Sequence, residues 1–264
     1  MIEAIIAIGG LGAVSGLGLG FAAKKFAVFV DPKIEEIEDV LPAVNCGACG
    51  YAGCAQFAKA VVEEGAEVNG CIPGGHDVAK AVAAIMGMEA QAKEKVIARV
   101  LCQGSPDCAV DKYEYIGVED CLAVNLVAGG DKLCQYGCLG HGSCVKVCPF
   151  DAIHMGDNRL PVVDMDKCTG CGKCEQICPK NVIEVTPPTT KTVVLCNSVD
   201  KGAVVRKSCK VGCIGCMMCQ KVCEDDAITI DSFLAKINQE KCTTCLKCVE
   251  KCPTKCIAHH NTPF

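Results

Sequence analysis

The hydrophobic pattern opens on a block rather than a stripe. From Ile2 to Ala23 every position is apolar or glycine apart from Glu3 and Ser15, and the block stops at Lys24-Lys25. At 1.5 Å per residue, about twenty such residues cross a bilayer core, so the pattern predicts one N-terminal transmembrane helix. A cleavable signal would carry its positive charge ahead of the apolar run; here the lysines follow it. That order predicts a single-pass segment in the cell membrane with the rest of the chain on the cytoplasmic side. Gly12, Gly16 and Gly20 recur every fourth residue, a face on which another membrane helix can approach closely. Further on, Ala55–Glu64 reads as a short helix. Asp77 to Val100 reads as a longer one, with Val78, Val82, Ile85 and Met86 at helical spacing.

Past Val100 the cysteines organise the chain. The whole chain has 26, about a tenth of its residues. Four runs stand out: Cys134-x3-Cys138-x5-Cys144-x3-Cys148-Pro149, Cys168-x2-Cys171-x2-Cys174-x3-Cys178-Pro179, Cys213-x2-Cys216-x2-Cys219-x3-Cys223, and Cys242-x2-Cys245-x2-Cys248-x3-Cys252-Pro253. Three of the four carry the C-x2-C-x2-C-x3-C spacing that wraps a [4Fe–4S] cube. Three thiolates in one tight loop reach three corners, and the fourth crosses to the neighbouring cube. Paired C-x2-C knuckles across a longer gap would suit zinc, and a secreted chain would suit disulfides; neither pattern is present.

The crossover gives an explicit allocation. Cys134, Cys138 and Cys144 with Cys178 hold one cube, and Cys168, Cys171 and Cys174 with Cys148 a second. Cys213, Cys216 and Cys219 with Cys252 hold a third, and Cys242, Cys245 and Cys248 with Cys223 a fourth. Cys46, Cys49, Cys54 and Cys71 offer four more thiolates in a small unit with its own spacing, a fifth cube. Of the remaining cysteines, Cys102, Cys121, Cys196 and Cys209 are expected to hold a sixth, leaving Cys108 unassigned and Cys256 where a buried apolar residue would follow the last run.

The runs repeat. Cys148 and Cys223 stand 75 residues apart and Cys178 and Cys252 stand 74 apart, so one two-cluster ferredoxin is duplicated in tandem. The expected class is α+β. Residues 1–30 form the anchor, 31–76 a small [4Fe–4S] domain, and 77–132 a helical linker with extra cysteines. Residues 133–188 form the first two-cluster ferredoxin-like domain, 189–209 a linker with cluster ligands, and 210–264 the second ferredoxin-like domain.

Composition adds three constraints. There is no tryptophan, so a large conventional core is not expected and ligand bonds must help fold the chain. The formal charge of −5 deepens by roughly two for each cube with four thiolates, and no basic run offsets it, which excludes nucleic acid as a partner. The five histidines have no paired motif and are expected on the surface or in turns. No Rossmann fingerprint, P-loop or nucleophile elbow is present. A chain without a nicotinamide or flavin site passes single electrons and leaves hydride chemistry to a partner.

The apolar block, the Leu41–Gly75 unit and the phrase Cys134-Gln-Tyr-Gly-Cys-Leu-Gly-His-Gly-Ser-Cys144 followed by Cys148-Pro-Phe-Asp-Ala-Ile resemble the B subunit of the Rnf complex. That membrane assembly couples ferredoxin oxidation and NAD+ reduction to sodium or proton translocation. The resemblance implies an electron-input subunit of a ferredoxin:NAD+ oxidoreductase. It implies soluble ferredoxin as donor, other Rnf membrane subunits and lipid as partners, and [4Fe–4S] clusters as cofactors.

Overall fold

The computed structural model describes residues 2–26, 31–89 and 94–259, with backbone alone for 2–8 and 11. The first helix, α1, runs over Ile2–Lys25. Its described apolar side chains Val14, Leu17, Leu19 and Phe21 are 71–76 % exposed. Among the described residues no helix is long and apolar enough to cross a membrane. The block's isoleucines (2, 5, 6 and 8) lie outside the described side chains, and six glycines dilute the stretch from Gly9 to Gly20.

A three-helix unit follows. α2 (Pro32–Val40) starts with proline in its first turn and Asp31 as cap, whose carboxylate accepts from the Lys33 N–H at 2.9 Å. It packs on α3 (Cys54–Glu63) and α4 (Gly75–Met86) around Ile34, Ile37, Leu41, Phe57, Val61 and Val82. Phe57 is 2 % exposed. Phe57→Ala is therefore expected to cost this unit about 3–5 kcal/mol, read as lost amide-exchange protection in α2 to α4 with the rest of the chain unchanged.

The helix expected over Asp77–Val100 stops at Met86, because Gly87 adopts φ +68° and closes it with its N–H on the last carbonyls. Its far end is a strand. β1 (Ile97–Val100) pairs antiparallel with β4 (Ile183–Thr186), Ile97 opposite Thr186 and Val100 opposite Ile183. β-Branched Ile97 and Val100 favour the extended form.

Two similar units follow, each built on two-stranded sheets. In the first, α5 (Cys121–Leu126) and α6 (Ser143–Lys146) precede the hairpin β2 (Ile153–Met155) and β3 (Pro161–Val163), then α7 (Lys173–Ile177) and β4. In the second, β5 (Thr192–Val194) and α8 (Gly202–Ser208) precede α9 (Met218–Lys221), the hairpin β6 (Ile228–Asp231) and β7 (Leu234–Ile237), α10 (Lys247–Lys251) and β8 (Ile257–His259). β5 pairs with β8 as β1 pairs with β4. Both segments expected as linkers, 77–132 and 189–209, thus lend an edge strand to the unit behind them.

Close approach fixes the glycines in the loops. A side-chain carbon on Gly140 would stand 2.8 Å from the Arg159 carbonyl oxygen, and one on Gly215 2.8 Å from that of Phe233, both at positive φ.

Candidate iron–sulfur sites

Each short helix after a cysteine loop starts from a residue in the left-handed region: Gly142, Gly172, Met217 and Leu246. In the Cys168, Cys213 and Cys242 runs that reversal goes with three cysteines turned toward one cavity. One cavity is lined by Cys148, Cys168, Cys171 and Cys174, a second by Cys213, Cys216, Cys219 and Cys252 with Cys256 as a fifth cysteine, and a third by Cys223, Cys242, Cys245 and Cys248. All three sets are those the crossover spacing assigns, with the fourth cysteine arriving from the partner run. In the N-terminal unit Cys46, Cys49 and Cys54 all face Cys71, the set expected there.

Two sites differ from the sequence allocation. A fourth cavity is lined by Cys102, Cys134, Cys196 and Cys209, so the structure brings Cys134, not Cys121, to this group. Cys121 lies near Cys138 and Cys144 instead, and Cys178 also lies near Cys144. The delivery of Cys121 is visible in hydrogen bonds. Its N–H donates to Ser143 Oγ at 2.7 Å, and Ser143 Oγ donates to the Asp120 carboxylate at 2.8 Å. Cys121 and Cys134 exchange places because the segment around Glu119–Cys121 folds back onto the loop at His141 and Ser143. Cys108 lies beside Cys209 without lining the cavity.

Burial dominates the thiols. Desolvation pushes Cys138, Cys174 and Cys196 up to about 12 and Cys144 and Cys219 up to about 11. Such groups stay protonated unless a cation replaces the proton, which is the chemistry of a metal ligand. Cys256 does the opposite service for its neighbours. It is 2 % exposed, sits 3.6 Å from Cys252 Sγ, and its hydrogen bond holds Cys252 down to about 5 and lowers Cys213 as well.

Four thiols facing a shared cavity fit an iron–sulfur cube. Among the described residues no group of three or more His, Cys, Asp or Glu is placed to hold a single metal ion. Zinc draws its ligands in to about 2.3 Å, whereas a cube spreads them apart.

His141 lies in a bend between Gly140 and Gly142, as expected of a turn histidine, but the structure buries it rather than exposing it. Its ring lies between Glu119, 2.7 Å from Nδ1, and Asp131, 3.0 Å from Nε2, with Tyr115 edge-on at 5.6 Å. Hydrogen bonding to His141, and then its charge, holds the exposed Glu119 carboxylate below its usual range. These contacts tie the segment from Tyr115 to Asp131 to the first cysteine loop. Removing the ring leaves a buried Asp131 carboxylate without its partner. His141→Leu is expected to cost about 3–5 kcal/mol, a fall of order 10 °C in the thermal midpoint at a fixed scan rate. His260 lies outside the described residues.

Three family models match. Residues 41–73 match a putative Fe–S cluster family, 141–189 an LdpA Fe–S cluster-binding domain, and 212–256 a 4Fe–4S dicluster domain. Three relatives cover nearly the whole chain. The B subunit of the ion-translocating oxidoreductase complex of Methanosarcina acetivorans is 45 % identical over 97 % of this chain and 97 % of its own length. The B subunit of the Na(+)-translocating ferredoxin:NAD(+) oxidoreductase complex of Acetobacterium woodii is 45 % identical over 98 % of this chain and 79 % of its own. The B subunit of the proton-translocating ferredoxin:NAD(+) oxidoreductase complex of Clostridium ljungdahlii is 47 % identical over 94 % and 88 %.

Proposed function

This chain belongs to the family of B subunits of ion-translocating ferredoxin:NAD+ oxidoreductase (Rnf) complexes, and from that membership we propose that it receives electrons from reduced ferredoxin and relays them to membrane partners. The proposed ligands are the sets Cys46, Cys49, Cys54 and Cys71; Cys148, Cys168, Cys171 and Cys174; Cys121, Cys138, Cys144 and Cys178; Cys213, Cys216, Cys219 and Cys252; and Cys223, Cys242, Cys245 and Cys248. When bound, the cubes supply one-electron storage at potentials tuned by hydrogen bonds and exposure.

The observation that carries the relay is the adjacency of the sets. Cys171 lies within electrostatic reach of Cys46 in the N-terminal set, and Cys174 within reach of Cys144 in the next one. At the opposite end Cys216 and Cys245 are the exposed cysteines, all others being at least partly covered. A soluble donor meets the chain most closely there, and α1 lies at the N-terminal end. We read α1 as a single-pass anchor held by lipid and a partner helix on its glycine face. The exposed Val14, Leu17, Leu19 and Phe21 and the closing Lys24-Lys25 support that reading. The relatives' names differ in their ion, sodium in one and proton in another, so membership carries translocation without the ion.

The test is anaerobic mixing of reduced ferredoxin with the intact membrane complex. Visible bleaching and electron paramagnetic resonance signals of reduced clusters on this chain are expected before any NADH appears. NADH formation with this chain's clusters remaining oxidised would reject the reading.

A further inference from the structure

We propose that Cys102, Cys134, Cys196 and Cys209 hold a further [4Fe–4S] cube that bridges the two ferredoxin-like units and makes the relay one unbranched series. The inference rests on the relay reading above for its purpose, but not for its ligands.

The three family-model matches leave all four of these cysteines out, since they cover only residues 41–73, 141–189 and 212–256. The internal repeat accounts for them. Cys134, Cys138, Cys144 and Cys148 each stand 75 residues before Cys209, Cys213, Cys219 and Cys223. Val100-Leu101-Cys102 reappears as Val194-Leu195-Cys196, immediately after β1 and β5. Each repeat therefore contributes two matching cysteines, one from the end of its edge strand and one four residues before its cluster run.

The local geometry repeats as well. The Cys138 N–H donates to Cys102 Sγ at 3.3 Å, and the Cys213 N–H bonds Cys196. The Gly104 N–H reaches Cys102 Sγ at 3.5 Å, and the Ser198 N–H reaches Cys196. Backbone N–H groups two residues on, at Tyr136 and Val211, meet Cys134 and Cys209. A side-chain carbon on Gly137 would stand 3.5 Å from Cys134 Sγ and 3.9 Å from Cys102 Sγ, and one on Gly212 3.8 Å from Cys196 Sγ. One on Gly104 would stand 3.6 Å from both Cys102 Sγ and Cys209 Sγ, which joins the two halves across the cavity. Backbone N–H groups aimed at sulfur are what a thiolate cube ligand requires.

The same correspondence explains why Cys134 is free for this site. His141 occupies the position equivalent to Cys216 and so removes the second thiolate of the first run. Cys121, held beside Cys138 and Cys144, supplies it. The first pair keeps its full ligand count and Cys134 faces the junction.

The junction itself is built. Buried Lys132 donates to the Gly104 carbonyl at 2.7 Å, and Gln103 Nε2 donates to the Lys255 carbonyl at 2.8 Å. The site contacts one neighbour through Cys138 and the other through Cys213. The order is then the N-terminal set, the Cys168 set, the Cys138 set, the bridge, the Cys213 set and the Cys242 set.

Non-additive iron loss tests the ligand set on the full-length chain, purified anaerobically in detergent, with iron, acid-labile sulfide and zinc measured together. The unaltered chain is expected to hold about twenty-four irons. Cys134→Ala and Cys196→Ala should each lose about four, and the double variant also about four, because both ligate one cube. Cys121→Ala with Cys196→Ala should lose about eight. If instead the Cys134/Cys196 double loses about eight, the two serve different cubes and the proposal fails. It fails equally if the unaltered chain holds about twenty irons, or if zinc rather than iron leaves with Cys196. Should these variants misfold by far-UV circular dichroism, the count on the unaltered chain and the Cys102→Ala/Cys209→Ala pair decide. A correct iron count with no reduction by ferredoxin would sink the relay reading and leave this site standing.

Discussion

Removing iron from the chain is expected to unfold both ferredoxin-like units and leave the N-terminal helical unit folded. The cores differ in what they are made of. In the first ferredoxin-like unit four of the eleven residues in the buried cluster are Cys138, Cys144, Cys168 and Cys174. In the second, four of eight are Cys213, Cys219, Cys248 and Cys256. None of the nine in the N-terminal cluster is cysteine; Ile37, Phe57, Val61 and Val82 carry it. Helices of four or five residues after each loop, such as α6 and α9, fall far below the roughly 12–15 at which a helix stands alone. Without ligand bonds these pieces have little to hold them, as in other small metal-dependent domains. Chelation under reducing, anaerobic conditions followed by hydrogen exchange should erase protection at Ile153, Val182 and Ile228 and keep it at Phe57, Val61 and Val82. Reloading should release protons at neutral pH, because burial keeps Cys138 and Cys174 as neutral thiols until iron displaces the proton. Protection that persists throughout, or vanishes everywhere at once, would refute this division of labour.

The contrast between local and non-local signals decides how much of this architecture the sequence discloses. A C-x2-C-x2-C-x3-C run is complete within eleven residues, so three ligands and the crossover of the fourth are legible from spacing alone, and the cavities around Cys174, Cys219 and Cys248 match it. The exchange of Cys121 and Cys134 is not local. It depends on a segment of more than twenty residues folding back so that Glu119, Asp120 and Cys121 meet His141 and Ser143. A signal is nonetheless present: the 75-residue offset places Cys134 over Cys209 and His141 over Cys216, and aligning the repeat on both sides of Cys138 reveals both. The strand β1 is hidden for a different reason. Apolar Val96, Ile97 and Val100 suit either a buried helix or a strand, and only the distant partner Ile183–Thr186 settles it. Gly87, which ends α4, is the local clue.

Alanine at Cys54 is expected to sever the path to the membrane partners while leaving its entrance open. Cys54 opens α3 and belongs to the set around Cys71, and Cys46 of that set lies within electrostatic reach of Cys171. It is also the set that follows α1, so in a series it is the last before the membrane partners. Cys54→Ala in the intact complex should lose about four irons per chain. Reduced ferredoxin should still bleach the remaining clusters at the normal rate, whereas NAD+ reduction should fall at least tenfold, about 1.4 kcal/mol in the effective barrier. Cys108→Ala, which removes a thiol that lines none of the cavities, is the matched control and should change neither quantity. The combination matters more than either number. Slow bleaching would mean that electrons arrive at the N-terminal set and the order is reversed. Undiminished NAD+ reduction with four irons missing would place this set on a side branch, because a series cannot bypass one of its members.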